Sequence, residues 1–141
     1  MSKKKAVQNK WMRDLIPDHF TDLDYLFEET LFEGLIFFWE QDGGKESLEL
    51  NSQPWEDNGF FHWSPERKEC YDLMKAAYEW GKTRHESEPE YPSLGDDWKT
   101  TFRTEAYGDA VKIANEKLVK WEEEKDTHVT NILKYRKYLW T

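Results

Sequence analysis

The chain is poor in the residues that build disulfide frameworks and thiolate metal sites. It contains one cysteine among 141 residues, which excludes an intramolecular disulfide and any site that needs several thiolates. Proteins with so little cysteine are typical of reducing compartments, because disulfides persist mainly outside the cytosol. The composition therefore predicts a cytoplasmic protein.

Long apolar runs are also missing. A membrane-spanning helix needs about 18 or more consecutive apolar residues. The most apolar segment here, Leu23–Trp39, is interrupted by Asp24, Glu28, Glu29 and Glu33. The start, Met1–Lys5, is not followed by the apolar run of a secretory signal. The sequence therefore predicts no membrane association.

Aromatic residues make up for a low apolar content. Apolar residues account for 38% of the chain, but eight Trp, eight Phe and seven Tyr bring the aromatic share to 16%. Disordered chains contain few aromatics, and each large ring buries much surface. We expect one domain over residues 1–141, with residues 1–5 disordered. The predicted class is mainly α, as a small helical bundle around one buried central helix.

Negative charge is concentrated in one part of the chain. The net charge is −9, and residues 21–60 alone carry eleven acids and one lysine, a net −10. Such a field attracts basic partners and repels nucleic-acid phosphates. The charge predicts a protein partner with a basic surface and argues against direct nucleic-acid binding, although solubility alone also explains it.

The central helix is predicted over Thr21–Gln41. Thr21 is a suitable N-terminal cap, and Gly43 with Gly44 supplies a stop. Beyond the first turns nearly all its side chains are large and apolar, so we expect neighbours on several sides. Residues 1–16 are expected to form a separate short helix that ends at Pro17.

Residues 45–63 lack a helical pattern. Ser47–Leu50 alternates with period two, and a short β-hairpin within 45–63 is compatible with the turn residues Asp57–Gly59. Ser64 and Pro65 then mark the start of a helix that is expected to end near Gly81. Residues 83–99 are polar and are predicted to form a long loop.

Residues 105–139 have a heptad pattern, which leaves two alternatives. They form either one long helix or two helices divided near Asp126. The apolar seam contains Tyr107, Val111, Ala114, Leu118, Trp121, Ile132, Tyr135 and Leu139.

Three sets of side chains are candidate partner-binding surfaces. The acidic stripe lies along one side of the central helix and consists of Asp22, Glu29, Glu33 and Glu40. The aromatic segment consists of Trp55, Phe60, Phe61 and Trp63, which anchor an interface or else cover the central helix. The loop cluster consists of Trp80, Arg84, His85 and Trp98, since Arg beside Trp suits stacking or a carboxylate clamp.

Catalytic chemistry has little support. His19, His62, His85 and His128 lack metal-ligand spacing, and Cys70 lies on an apolar helix face. We predict no metal site, no cofactor and no catalytic residue. One enzymatic alternative is Mg²⁺-dependent nucleotide hydrolysis, loosely similar to the all-α nucleotide pyrophosphatases. Its candidate carboxylates are Glu29, Glu33, Glu66, Glu69 and Asp72.

Two stretches resemble small uncharacterised bacteriophage proteins. They are Phe27–Gly44, with its Leu-Phe-Glu-Gly-Leu-Ile-Phe-Phe-Trp-Glu core, and the end Asn131–Thr141. In those proteins a Trp-rich helix precedes an Arg-Pro loop. Trp80 and Arg84 would correspond, although no proline follows Arg84 here. The resemblance implies a phage origin and the host-cell cytoplasm, and it brings no activity.

The sequence thus favours a non-enzymatic, phage-type accessory protein that binds a host or phage macromolecule through an acidic, aromatic surface. An inhibitor of a DNA-handling or defence protein is a specific form of this hypothesis, because an acidic stripe can imitate phosphates. Besides the pyrophosphatase-like enzyme, a second alternative is a structural or virion component that self-associates through Tyr107–Leu139. The sequence does not decide the oligomeric state.

Overall fold

The computed structural model describes residues 22–139, apart from the side chain of Phe61. Within these residues the chain forms six helices and one two-stranded sheet, which confirms the mainly α class. The elements are α1 Leu23–Glu40, α2 Gly44–Ser52, β1 Trp55–Asp57, β2 Phe60–His62, α3 Pro65–Ser87, α4 Trp98–Thr101, α5 Glu105–Lys134 and α6 Arg136–Leu139. The helix predicted for residues 1–16 and the disorder predicted for residues 1–5 lie outside the described residues.

The described residues divide into two compact units. Unit 1 contains residues 22–82 together with residues 128–139, and unit 2 contains Thr83–Thr127. Unit 1 therefore draws on two stretches of chain that are separated in sequence by the whole of unit 2. The expectation of one domain over residues 1–141 stays a prediction.

The central helix is confirmed as α1, with bounds within two residues of those predicted. Its cap is Asp22, so the prediction of Thr21 as the cap is wrong. The Asp22 Oδ1 atom accepts hydrogen bonds from the backbone nitrogens of Asp24 at 2.8 Å and Tyr25 at 3.1 Å. A carboxylate serves well here because it satisfies free N–H groups and faces the positive end of the helix dipole.

The core of unit 1 is formed around the second half of α1. Burial begins at Leu31, whereas Leu23, Tyr25 and Phe27 in the first turns are exposed. The prediction that neighbours cover most of α1 therefore holds only for its C-terminal half. The core residues are Leu31, Phe32, Leu35, Phe38, Trp39, Leu48, Cys70, Met74, Ala77, Ile132, Tyr135 and Leu139.

Aromatic contacts connect α1 to α3 inside this core. The ring centroids of Trp39 and Tyr78 are 5.1 Å apart and nearly parallel, and those of Phe32 and Trp80 are 5.3 Å apart. Aromatic pairs of this kind add about 0.5–1.5 kcal/mol each beyond the area they bury. A few large rings thus provide much of the packing, as the composition predicts.

The prediction for residues 45–63 is partly wrong. Residues 44–52 form α2, because Leu48 is buried against α1 while Leu50 is exposed on the other side of the helix. The hairpin exists but is confined to β1 and β2, with Trp55 paired to His62 and Asp57 to Phe60. Asn58 and Gly59 form its turn with positive φ angles of 51° and 84°. Two such residues match the right-handed twist of the flanking strands.

Helix α3 begins where predicted but ends later. The Ser64 hydroxyl accepts from the backbone nitrogen of Arg67 at 3.4 Å, as expected of a cap. The predicted stop near Gly81 is wrong, since α3 continues to Ser87. Gly81 packs closely against Phe32, because a Cβ there would lie 3.0 Å from the Phe32 ring. The predicted loop 83–99 is accordingly shorter and is followed at once by α4.

Helix α5 passes through Asp126 without a break, which decides between the two alternatives for residues 105–139. The division comes instead at Tyr135, between α5 and α6. Tyr135, Ile132 and Leu139 of the predicted seam are buried in unit 1, and Ala114 is buried in unit 2. Within residues 22–139, each helix is too short or too polar to cross a bilayer.

Candidate partner-binding surface

The ends of the acidic stripe are occupied by contacts within the protein. Asp22 serves as the cap of α1. The Glu40 carboxylate accepts a hydrogen bond from the Tyr78 hydroxyl and forms an ion pair with the Lys82 Nζ atom at 2.8 Å. The pKa of Glu40 is lowered below its ordinary value. The hydrogen bond with Lys82 is the largest cause, and the hydrogen bond from Tyr78 is the second. These carboxylates therefore help to hold α1 in place.

The middle of the stripe is half-buried. Glu29 and Glu33 both have intermediate exposure. The pKa of the Lys82 ammonium group is raised mainly by Glu40, and the negative charge of Glu33 adds a smaller effect. A half-buried carboxylate has less surface to offer to a partner than an exposed one. The greater part of the exposed acidic charge lies elsewhere in unit 1.

One group of these acids lies on residues 42–63, which we call the α2–hairpin surface. It carries five acids and one lysine, a net charge of −4. Four of the acids are exposed and Glu49 is half-buried. Among the described residues, none of the five has a basic side chain within ion-pair distance. They are Asp42, Glu46, Glu49, Glu56 and Asp57.

The same surface exposes large apolar side chains. The exposed fractions are 72% for Leu50, 55% for Trp55, 70% for Phe60 and 53% for Trp63. The aromatic segment is therefore exposed at three of its four positions, and the fourth, Phe61, has a side chain outside the described set. An exposed cluster of this kind is more typical of an interaction site than of a cover for the central helix.

The hairpin fixes where these rings lie. Because Trp55 pairs with His62 and Asp57 with Phe60, all four side chains lie on one face of the two-stranded sheet. The Trp55 and His62 rings stack with centroids 4.2 Å apart and planes 16° apart. The stack gives Trp55 a defined orientation, so a partner meets a preformed ring.

The members of the loop cluster have different environments. Trp80 is half-buried in unit 1, where its ring contacts those of Phe32 and His128. Arg84 is only 3% exposed and His85 is exposed, both in the last turns of α3. Trp98 begins α4 with its ring exposed and the Lys99 Nζ atom 5.5 Å from the ring centroid. Trp80 is thus mainly a core residue, while Trp98 is a surface residue.

Three of the five carboxylates of the enzymatic alternative form ion pairs with lysines. Asp72 pairs with Lys68 at 2.7 Å. Glu69 pairs with Lys134 at 3.5 Å, and Glu66 with Lys137 at 3.4 Å. Within residues 22–139 there is no group of three or more His, Cys, Asp or Glu side chains placed to hold a metal ion. Glu66, Glu69 and Asp72 therefore already have cationic partners within the protein.

Residues Glu46, Glu49 and Leu50 were not among the sequence candidates. Their place on the α2–hairpin surface depends on the helical conformation of α2, in which Leu48 is buried and Leu50 is exposed. One signal in the sequence points to them, namely the acids that flank two leucines spaced two apart.

Comparisons with protein-family models, curated proteins and solved structures find no significant match to this chain.

Proposed function

We propose that the protein is a non-enzymatic accessory protein of phage type that binds a protein partner with a basic surface. The contact region is the α2–hairpin surface, and a DNA-handling or defence protein is the class of target. The observation that carries the proposal is the coincidence of exposed large apolar side chains with acids that have no basic partner among the described residues.

The apolar side chains supply the affinity. Binding energy at protein interfaces is concentrated in a few anchors, and Trp is strongly enriched among them. Trp55 is held by its stack on His62, so little side-chain entropy is lost when a partner covers it. Leu50 and Phe60 extend the apolar area on the same surface.

The acids supply the choice of partner. A surface with net charge −4 steers a basic protein toward it and disfavours an acidic one. Proteins that handle DNA have basic clefts for phosphates, and carboxylates at a surface compete for such clefts. The acidic character of the whole chain, at −9, adds to this attraction at long range.

The test is affinity capture from a bacterial lysate with two charge-reversed variants in parallel. One carries Glu49→Lys and Glu56→Lys on the α2–hairpin surface. The control carries Glu116→Lys and Glu123→Lys on α5, so both variants change the net charge by the same amount. We expect the first variant to lose the partner and the control to keep it. Equal loss in both would show that net charge, and not this surface, drives binding.

A second pair of variants tests the apolar contacts with the purified partner. Phe60→Ala should weaken binding about fivefold or more, since anchors at interfaces contribute about 1 kcal/mol or more. Phe102→Ala removes a similarly exposed ring from unit 2 and should have no effect. Binding should also weaken as salt is raised from about 50 to about 500 mM. Salt-independent binding would contradict the role of the acids.

A further inference from the structure

A pocket in unit 1 opens between the end of α2, the hairpin and the start of α3. Its volume is about 330 Å³, at the lower end of the range of about 300–1,000 Å³ typical of small-molecule sites. It is lined by Asn51, Gln53, Trp55, His62, Trp63, Ser64 and Arg67. Two tryptophans, two amides, an imidazole and one guanidinium make an unusual lining for a surface recess.

Arg67 brings a permanent positive charge to this lining. It has no carboxylate partner among the described residues. Its neighbours on α3 differ in this respect, since Glu66 and Glu69 pair with lysines and Lys68 pairs with Asp72. The Arg67 guanidinium instead lies over the Tyr138 ring, 4.9 Å from the centroid. This cation–π contact helps to hold the guanidinium in place while its N–H donors stay available for an anion.

The other lining residues suit a planar ring with polar edges. Trp55 and Trp63 offer indole faces, on which nucleobases stack readily. Asn51 donates its amide nitrogen to the Ser47 carbonyl at 2.9 Å, so its amide oxygen is left as an acceptor. The Gln53 amide offers both a donor and an acceptor, the combination that pairs with base edges.

We infer that this pocket binds a nucleoside 5′-monophosphate, with its base stacked on the tryptophans and its phosphate bound by Arg67. The surrounding charge favours a single nucleotide over a nucleic-acid strand. A strand would place several phosphates against the acids of the α2–hairpin surface, whereas a mononucleotide brings one phosphate to one guanidinium. This inference does not depend on the protein partner proposed above.

The test follows the indole N–H signals in ¹H–¹⁵N NMR spectra of the full chain during titration with AMP, GMP, CMP and UMP. We expect the signals of Trp55 and Trp63 to move and that of Trp98 to stay, because Trp98 is not part of the pocket lining. The corresponding nucleosides and inorganic phosphate should each bind at least about tenfold more weakly, since each lacks one of the two contacts.

Matched variants locate the phosphate contact. Arg67→Gln should raise the Kd of the nucleotide about 10- to 100-fold, the usual effect of losing hydrogen bonds to a charged group. Lys68→Gln removes the same charge one residue away, outside the pocket lining, and should leave the Kd unchanged. Equal effects of the two variants would overturn the assignment, as would the absence of any shift at Trp55 and Trp63.

Two further ligands test the class of compound. Indole-3-acetate has a ring and an anion but no base edge, and equal affinity for it would overturn the assignment to nucleotides. A 5′-phosphorylated oligonucleotide that bound more tightly than the mononucleotides would overturn it in favour of nucleic acid. The variants Glu49→Lys and Glu56→Lys should retain nucleotide binding, so failure of one proposal is distinguishable from failure of the other.

Discussion

A methyl group added at Gly44 has no room in the structure. Gly44 is buried at the start of α2, and a Cβ atom there would lie 2.3 Å from two carbon atoms of the Phe38 ring and 2.5 Å from the Phe38 carbonyl oxygen. The ring belongs to the core of unit 1, and the carbonyl is part of α1. Neither can move away without disturbing α1, so α2 itself must shift.

The expected cost of Gly44→Ala follows from these contacts. Overpacking in a well-packed core costs about 1–3 kcal/mol, and contacts with both ring and backbone put this site near the upper value. The better helix propensity of alanine offsets at most about 1 kcal/mol of this overpacking cost. The net loss of about 2 kcal/mol corresponds to a fall in Tm of about 6–10 °C for a chain of this size.

Thermal and urea unfolding followed by circular dichroism measure this loss, and Gly108→Ala is the matched control. Gly108 lies in α5 and has no atom within 4 Å of an added Cβ. The same substitution there should therefore stabilise the protein by about 0.5–1 kcal/mol. Opposite signs at the two glycines are the expected result. A Gly44→Ala variant as stable as the wild type would refute the close approach of α2 to Phe38.

Two other perturbations address side chains in unit 1. Glu40→Gln should destabilise the protein at pH 7, by about 1 kcal/mol for the weakened hydrogen bond from Tyr78 at this partly exposed position. Because the folded-state pKa of Glu40 is lowered, its stabilisation is present above about pH 4.5 and is lost as the pH falls further, so the Tm values of variant and wild type should converge in acid. A constant difference in Tm down to pH 2 would contradict the ionic contact. Burial raises the pKa of the Cys70 thiol to about 11, two pH units above its ordinary value, which leaves about 100-fold less thiolate at pH 8. A thiol reagent should therefore modify Cys70 in urea but hardly at all in the native protein, and rapid native labelling would show that the core opens easily.

The elements that the sequence predicts well have strong local signals. The central helix combines a long apolar pattern with glycines at its end, although its cap is Asp22 and not Thr21. The hairpin turn is marked by Asn58 and Gly59, whose positive φ angles few other residues adopt. Ser64 and Pro65 likewise mark the start of α3. In each case the decisive interactions join residues close in sequence.

The elements that were predicted wrongly depend on contacts between distant residues. Four alternating residues, Ser47–Leu50, do not distinguish a strand from a helix with one buried leucine, and the packing of Leu48 against α1 decides for the helix. Glycine is typical of helix ends, but Gly81 lies within α3, where the Phe32 ring packs close to its Cα. The identity of such a neighbour is not encoded locally.

The candidate site was predictable in composition but not in position. Trp55, Phe60 and the acidity of residues 21–60 were recognisable from the sequence. The pairing of Glu40 with Lys82 was not, because it joins side chains 42 positions apart. Arg67 had no distinguishing pattern either, since only the pairing of its neighbours shows that it differs from them.

The divided chain path of unit 1 has a consequence for biosynthesis. Its core includes Ile132, Tyr135 and Leu139, which the ribosome adds after all of Thr83–Thr127. Until then α1 and the first part of α3 have been made without these core partners, and apolar side chains such as Leu35 and Met74 stay less well covered. The residues of unit 2, Thr83–Thr127, are contiguous in sequence. All residues of unit 2 are therefore synthesised before the last residues of unit 1, although unit 1 begins first in the sequence.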